Sequence, residues 1–160
     1  MGGYIFDTNI FIKSKNEMPH DLWPTFWMKL SDLMRSGQIS SSIKVKEEID
    51  RGKDELTLWM KNNASESFYH PVDTNVLKKY SDAQNWARAK NFSPNALNEF
   101  ADVADAYIVA TAAVKGYTLV TNEISAPNSV KRVKIPDVCA ALGVKYCDLN
   151  TVLRELGVTI

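Results

Sequence analysis

Cysteine is nearly absent: Cys139 and Cys147 are the only two. They do not form a CxxC pair, so neither a zinc ribbon nor a dithiol redox motif is encoded, and both are expected to be reduced structural thiols. Histidine is equally scarce. His20 and His70 fall at loop-like positions without partners at ligand spacing, and both are read as structural or solvent-exposed. Charge of one sign is lacking too, because 19 Lys plus Arg balance 19 Asp plus Glu. Composition therefore does not announce a nucleic-acid binder, although a local patch can suffice. No apolar run approaches the roughly 18 residues that cross a bilayer. The first residues carry no basic n-region of a signal peptide. A cytoplasmic protein without membrane association is the expectation. No GxGxxG follows the first apolar run, which disfavours a dinucleotide-binding domain. No internal repeat or low-complexity tract is visible.

What remains is an ordinary globular composition, with 160 residues of which 45% are hydrophobic and 24% charged. One domain spanning residues 1–160 is expected. Tyr4, Ile5 and Phe6 form a short aromatic and β-branched run suited to a strand buried on both faces. Asp7 follows directly, then Thr8 and Asn9. In an open parallel sheet, ligands sit outside the carboxyl ends of the strands. Asp7 is thus either a site carboxylate or a helix cap after the strand.

Further along, Asp21 is read as the cap of a helix with Pro24 in its first turn. Trp23, Phe26, Trp27, Leu30, Leu33 and Met34 recur at helical spacing, and Gly37 ends that helix. Gln38 to Ser41 reads as a second strand, and Ser42 as the cap of a helix from Ile43 to near Gly52. At about 100° per residue, Glu48 falls beside Val45 and Ile49, with Glu47 on the opposite, solvated side. An unpaired carboxylate next to a buried stripe is costly, so Glu48 needs a partner. Asp54 to Asn63 predicts a helix, Phe68 and Tyr69 a third strand, and Asp73 or Thr74 the start of a helix reaching Ala89. Ser93-Pro94 restarts helical structure that leads into the segment from Ala101 to Val114.

From Asp105 onward that helix is apolar nearly all round, which means burial. On the wheel, Ala101, Ile108, Val109 and Ala112 surround Asp105, with Asp102 one turn back. No Lys or Arg lies three or four residues away, so a carboxylate there calls for a cation, strong donors or a raised pKa. After Gly116, Tyr117 to Val120 form another buried strand, followed by Thr121-Asn122-Glu123. The layout echoes Phe6-Asp7-Thr8-Asn9. Val133 to Ile135 reads as a short strand, Pro136 to Leu142 as a helix and Val144 to Cys147 as a last strand. Asn150 or Thr151 is expected to cap a terminal helix.

The alternation of strand and helix argues an α/β domain with a largely parallel sheet. Asp7, Asp105 and Glu123 then meet near one sheet edge, with Glu48 as a fourth acid. Carboxylates gathered in one cleft repel unless a divalent cation neutralises them. Oxygen ligands suit Mg²⁺ or Mn²⁺, and phosphodiester hydrolysis is the chemistry such a site favours.

The tracts FDTNIFI, the acidic helix with EEI, DAYIVATAA and TLVTNE occur in the order found in PIN-domain nucleases. Over nearly its whole length the chain resembles that family, and KIPDVCAALGVKYC resembles a PIN-like subgroup related to bacterial toxin–antitoxin toxins. The resemblance implies a three-layer α/β/α PIN-like fold with a mostly parallel sheet and metal-dependent cleavage of RNA. By motif, Asp7, Glu48, Asp105 and Glu123 match the catalytic acids. Asp7, Asp105 and Glu123 would be the metal ligands, for Mg²⁺ or Mn²⁺. Asn9, Thr121 and Asn122 match supporting positions, with Asp102 beside them. Many members carry aspartate where this chain has Glu123. The family also implies a cognate antitoxin and a homodimer. Lys13, Lys15, Lys44 and Lys46 are candidate RNA phosphate contacts, since they flank Asp7 and Glu48. Two rivals remain. A phosphatase with Asp7 as nucleophile would want aspartate where Asn9 stands. A non-catalytic PIN-like domain that only binds RNA or a partner is the other.

Overall fold

The computed structural model describes residues 3–160. Strand β1 (Tyr4–Phe6) is the middle of a five-stranded sheet with order β3-β2-β1-β4-β5, where β2 is Ile39–Ser42, β3 Tyr69–His70, β4 Thr118–Val120 and β5 Tyr146–Cys147. Every pairing is parallel. Successive strand residues point to opposite faces. Ile5, Phe6, Leu119 and Val120 are all inaccessible to solvent, so both faces of the sheet are covered. That is the three-layer α/β/α arrangement of a PIN-like fold.

The connections are helical. Helix α1 (Thr8–Glu17) and α2 (Pro24–Ser36) join β1 to β2, and α3 (Ile43–Gly52) and α4 (Glu55–Asn63) precede β3. Helices α5 (Thr74–Arg88), α6 (Pro94–Asp102) and α7 (Asp105–Lys115) lead to β4. Helix α8 (Ile135–Leu142) precedes β5, and α9 (Leu149–Glu155) follows it. Helices α5, α7 and α8 pack on one another, with α7 also against β1, β2 and β4, while α1, α3 and α4 form a second group. Gly37 and Gly116 close α2 and α7 at φ of 80° and 72°, the left-handed region that suits glycine.

Serine-rich β2 has poor strand propensity. Its hydroxyls are nevertheless employed. Ser41 Oγ donates to the Phe6 carbonyl at 2.7 Å, Ser40 Oγ to the Tyr4 carbonyl at 3.3 Å, and Ser42 Oγ caps α3 by accepting from Lys44 N–H at 3.1 Å. The cap expected at Ser42 is present, and Asp54, Asp73 and Ser93, read from the sequence as helix starts, cap α4, α5 and α6.

Four expectations are corrected. Asp21 does not cap α2: the flanking residue is Trp23, with no side-chain cap bond, and Pro24 itself starts the helix. Val133 to Ile135 is not a strand, because Val133 is in an irregular segment and Ile135 opens α8. The cap of α9 is Asp148, which accepts from Thr151 N–H at 2.9 Å, rather than Asn150 or Thr151. The helix around Asp102 and Asp105 is two helices, broken at Val103 by extended backbone (φ −97°, ψ 167°). The wheel that set Ala101 beside Asp105 therefore crosses a break.

Candidate functional site

β1 and β4 are neighbours whose chains leave in opposite directions across the sheet, β1 toward β2 and β4 toward β5. This is a topological switch point, where open α/β sheets bind ligands. The register Phe6↔Val120 puts the residues that follow both strands side by side. Asp7 N–H donates to the Val120 carbonyl at 3.1 Å, and Thr121 N–H to the Cys147 carbonyl at 2.9 Å. The polar triplets after β1 and β4 thus face one another at the carboxyl edge.

Asp7 is fully buried. It is also the N-cap of α1, accepting from Asn9 N–H at 3.3 Å, as the cap reading of this residue expected. Its second oxygen accepts from the Thr121 hydroxyl at 3.0 Å. Thr121 Oγ1 in turn accepts from Glu123 N–H at 3.1 Å, which links the two triplets through one side chain. Burial pushes the Asp7 carboxyl up to about 7, with Glu123 adding to the rise and the Asn9 and Thr121 donors opposing it.

Asp105 opens α7 and is buried. Its pKa is raised well above the ordinary carboxylate range, first by burial, then by Asp7, Glu123 and Glu48, with only Arg132 acting against the rise. Glu123 Oε1 accepts from Ile135 N–H at 2.9 Å, the first residue of α8. Glu123 Oε2 is buried without a hydrogen-bond partner among the described residues, and Arg132 Nη2 stands 3.7 Å from it. An orphaned carboxylate oxygen is costly, and a cation is its natural complement.

Glu48 behaves differently. Oε1 accepts from the Thr8 hydroxyl at 2.6 Å, and Oε2 from Ala104 N–H at 2.8 Å. Both oxygens are engaged by donors that hold the start of α1 and the start of α7. The lysine partner that helical position alone would suggest is replaced by these two. Glu47, as expected, is exposed and pairs with Lys44.

Asp7, Glu48, Asp105 and Glu123 therefore act on one another electrostatically. Yet among the described residues no group of three or more His, Cys, Asp or Glu side chains is gathered tightly enough to hold an ion as it stands. In this arrangement Asp7 and Glu48 have both oxygens engaged by protein donors, and Glu123 has one. The chemistry of the set still fits a hard divalent cation, since the uncompensated carboxyl of Asp105 and the orphaned Glu123 Oε2 are oxygen ligands in want of positive charge.

Among the supporting residues, Thr121 joins the cluster. Asn9 contributes its backbone N–H while its side-chain position is exposed, and Asn122 is exposed. Asp102 is exposed at the end of α6, a different helix from Asp105. The lysine candidates are paired with acids: Lys13 with Glu17 at 3.9 Å, Lys15 with Asp54 at 2.7 Å, Lys44 with Glu47 at 3.5 Å and Lys46 with Asp50 at 2.6 Å. Two residues have no signal of their role in the sequence. Thr8 is visible inside FDTN but its partner, Glu48, is not. Arg132 sits in the irregular stretch before α8 and carries no local pattern. His70 meets Ser40 Oγ at 2.9 Å, and His20 stacks on Trp27 with ring centroids 3.8 Å apart, so both are structural. Cys139 and Cys147 are free thiols.

Thr121→Val keeps the shape of the side chain and removes its hydroxyl. Both the donor to Asp7 and the acceptor for Glu123 N–H disappear, which is expected to cost about 1–3 kcal/mol in denaturant unfolding. Thr121→Ser should recover most of it. An unchanged midpoint in the valine variant would show that the link carries no weight.

Residues 4–160 match the family model described as Domain of unknown function (DUF4411). Curated proteins contain no match to the chain. Solved structures do. VapBC2 from Rickettsia felis, bound to a DNA fragment from their promoter, aligns with a TM-score of 0.56 at 17% identity, over 91% of this chain and 97% of that one. FitAcB from Neisseria gonorrhoeae aligns with a TM-score of 0.53 at 18% identity, over 89% and 95%. At those identities the likeness is one of fold, and the fold is PIN-like. No helix among the described residues is long and apolar enough to cross a membrane.

Proposed function

The chain belongs to the DUF4411 family, and on that premise, joined to its PIN-like fold, we propose that it is a divalent-metal-dependent endoribonuclease acting as the toxin of a toxin–antitoxin pair. Residues 1–160 are taken as a single nuclease domain working in the cytoplasm. The observation that carries the reading is the pair of buried aspartates Asp7 and Asp105, whose carboxyls are raised by burial and then by nearby acids, Glu123 and Glu48 among them, from separate segments. A structural role alone does not account for two buried aspartates whose pKa is raised by burial and by neighbouring acids, while Glu123 Oε2 accepts no hydrogen bond among the described residues and meets Arg132 only at 3.7 Å.

Asp7, Asp105 and Glu123 are the residues that would hold Mg²⁺ or Mn²⁺. A bound ion of this kind activates water and stabilises charge on phosphoryl oxygens. Thr121 orients Asp7 through its hydroxyl, and Ile135 N–H orients Glu123. Glu48 fixes the relative positions of Thr8 and Ala104, and with them Asp7 and Asp105, which adjoin those residues. We assign it to positioning. The sequence offers no Ser–His–Asp or Cys–His arrangement, so water is the nucleophile in this proposal. The composite names VapBC2 and FitAcB motivate a cognate antitoxin, and a homodimer belongs to the same analogy.

Incubating the purified protein with a mixed RNA pool tests the reading. Cleavage is expected with Mn²⁺ or Mg²⁺, none in EDTA, and none from Asp7→Asn in either metal. Equal cleavage in EDTA would defeat the metal-dependent model. A second reading, a PIN-like domain that only binds RNA or a partner, is favoured by the engagement of Asp7 and Glu48 with protein donors. It predicts no cleavage and no stabilisation by divalent ions.

A further inference from the structure

The last turn of α5 and the turn after it, the irregular segment from Pro127 to Val130, and Asp137, Ala140 and Ala141 of α8 line a cleft of about 570 Å³. That volume lies within the roughly 300–1,000 Å³ typical of small-ligand sites. Trp86 and Phe92 are half-buried and line the cleft, with ring centroids 6.0 Å apart. The Lys90 ammonium stands 5.9 Å from the Trp86 ring centroid. Ser93 N–H donates to the Val130 carbonyl at 2.8 Å, which pins the first two of these segments together. Asp137 also lines the cleft, but its oxygens accept from Ser125 Oγ at 2.5 Å and Ala126 N–H at 2.9 Å.

Along the chain, Lys131 and Arg132 follow Val130 of the cleft directly. Lys90 and Lys131 are exposed and in no ion pair among the described residues. Arg132 follows Lys131 and pairs loosely with two acids, 3.7 Å from Glu123 and 3.9 Å from Glu99. Lys13, Lys15, Lys44 and Lys46 each have a carboxylate partner instead. In a chain of zero net charge, the exposed Lys90 and Lys131 beside half-buried aromatic rings are the kind of local signature that a single-strand nucleic-acid path carries.

We propose that this cleft is a base-binding subsite for single-stranded RNA: a base stacks at Trp86 and Phe92, and Lys90, Lys131 and Arg132 lead the phosphates toward Glu123. The inference rests on the nuclease reading only for the class of substrate. Stacking on an aromatic ring tolerates any base, so the subsite adds affinity and register without reading sequence. It also routes the strand along Lys90, Lys131 and Arg132 rather than along the paired lysines of α1 and α3.

The test uses the full chain in EDTA, where binding is separated from cleavage. A fluorescently labelled, unstructured RNA oligonucleotide is titrated, and anisotropy is followed across a salt series. Trp86→Ala is expected to weaken binding about tenfold or more. Lys90→Ala with Lys131→Ala should lower the salt slope by about 1.4, near 0.7 for each single-strand phosphate no longer neutralised. Lys145→Ala, at the amino end of β5, should bind as wild type. RNA should also quench tryptophan emission, and Trp86→Phe should abolish that quench while keeping much of the affinity. Should Trp86→Ala fail to fold, the exposed lysine variants and Trp86→Phe still decide. Unchanged affinity and slope in the lysine pair, or no RNA binding by wild type, overturns the subsite. If wild type nonetheless cleaves RNA with Mn²⁺, the nuclease reading survives that outcome. Cleft-dependent binding without cleavage leaves the subsite standing and removes the nuclease. A concentration-dependent doubling of mass that Trp86→Ala abolishes, with RNA affinity untouched, would assign the cleft to a second copy of the chain and overturn the proposal.

Discussion

Metal-free protein is expected to melt at a higher temperature at pH 5 than at pH 8, and Asp7→Asn is expected to erase most of that difference. Asp7 titrates near 3.8 when unfolded and is pushed up to about 7 in the fold, chiefly by burial and then by Glu123. Between those values the native state keeps a proton that the unfolded chain has released. Stability therefore falls as pH rises through the window and stays low above it. At pH 5, two units below about 7, the contribution is roughly 3 kcal/mol at about 1.4 kcal/mol per unit. For a chain of this size that corresponds to about 6–12 °C. Asp105 is raised in the same direction and adds to the same window. His20 and His70 run the other way. Burial lowers both, so their contribution is lost as pH falls below about 6.5. The comparison with Asp7→Asn isolates the aspartate from that opposing trend, and asparagine is itself a good helix cap. Melting curves of both proteins in EDTA at the two pH values settle it. A wild type equally stable at both, or a variant with the same pH slope, would show that Asp7 is compensated by donors and is no strained carboxyl.

That strain is partly legible in the residues. A buried apolar run ending in Asp7, and a second ending in Thr121-Asn122-Glu123, identify a sheet edge from sequence, because strand length and burial are local properties. Helix stops at Gly37 and Gly116, and caps at Ser42, Asp54, Asp73 and Ser93, are local too. The failures have a different origin. Alanine-rich, continuous periodicity hides the break at Val103, since every residue around it has tolerable helix propensity. The break matters, because it frees Ala104 N–H to donate to Glu48 and makes Asp105 the first residue of a helix. Val133 and Ile135 are β-branched and read as strand, but Pro136 is at home in the first turn of α8, and Ile135 N–H is spent on Glu123. Arg132 has no local signature at all. Its relation to Glu123 exists only because the segment between β4 and α8 folds back on itself. The pairing of Glu48 with Thr8, 40 residues apart, is likewise a product of packing.

Divalent ions are expected to separate the acids that hold charge from the acid that holds shape. Asp105→Asn removes one of several carboxyls that repel one another, with no donor bond among the influences on its pKa. Without metal it should melt at or above the wild-type temperature. Glu48→Gln leaves an amide where both oxygens accept, from Thr8 Oγ1 and Ala104 N–H. An amide has only one acceptor oxygen, so one of those donors is left without a partner. That variant should melt lower, by about 1–3 kcal/mol of missing hydrogen bonding. Added Mn²⁺ stabilises whatever binds it only in the native state, by mass action, and the gain grows with concentration above the dissociation constant. Wild type and Glu48→Gln should both rise with Mn²⁺, the latter from its lower start. Asp105→Asn should barely respond. Placing Asp105 among the ligands requires this crossing of the two effects: higher without metal, lower with it. Glu48 as a positioning residue requires the reverse, a lasting drop in stability with the metal response intact. Were Asp105→Asn to melt below wild type in EDTA and respond to Mn²⁺ as fully, Asp105 would be a structural acid. Were Glu48→Gln to abolish the metal response at unchanged metal-free stability, Glu48 would join Asp7 and Glu123 in holding the ion.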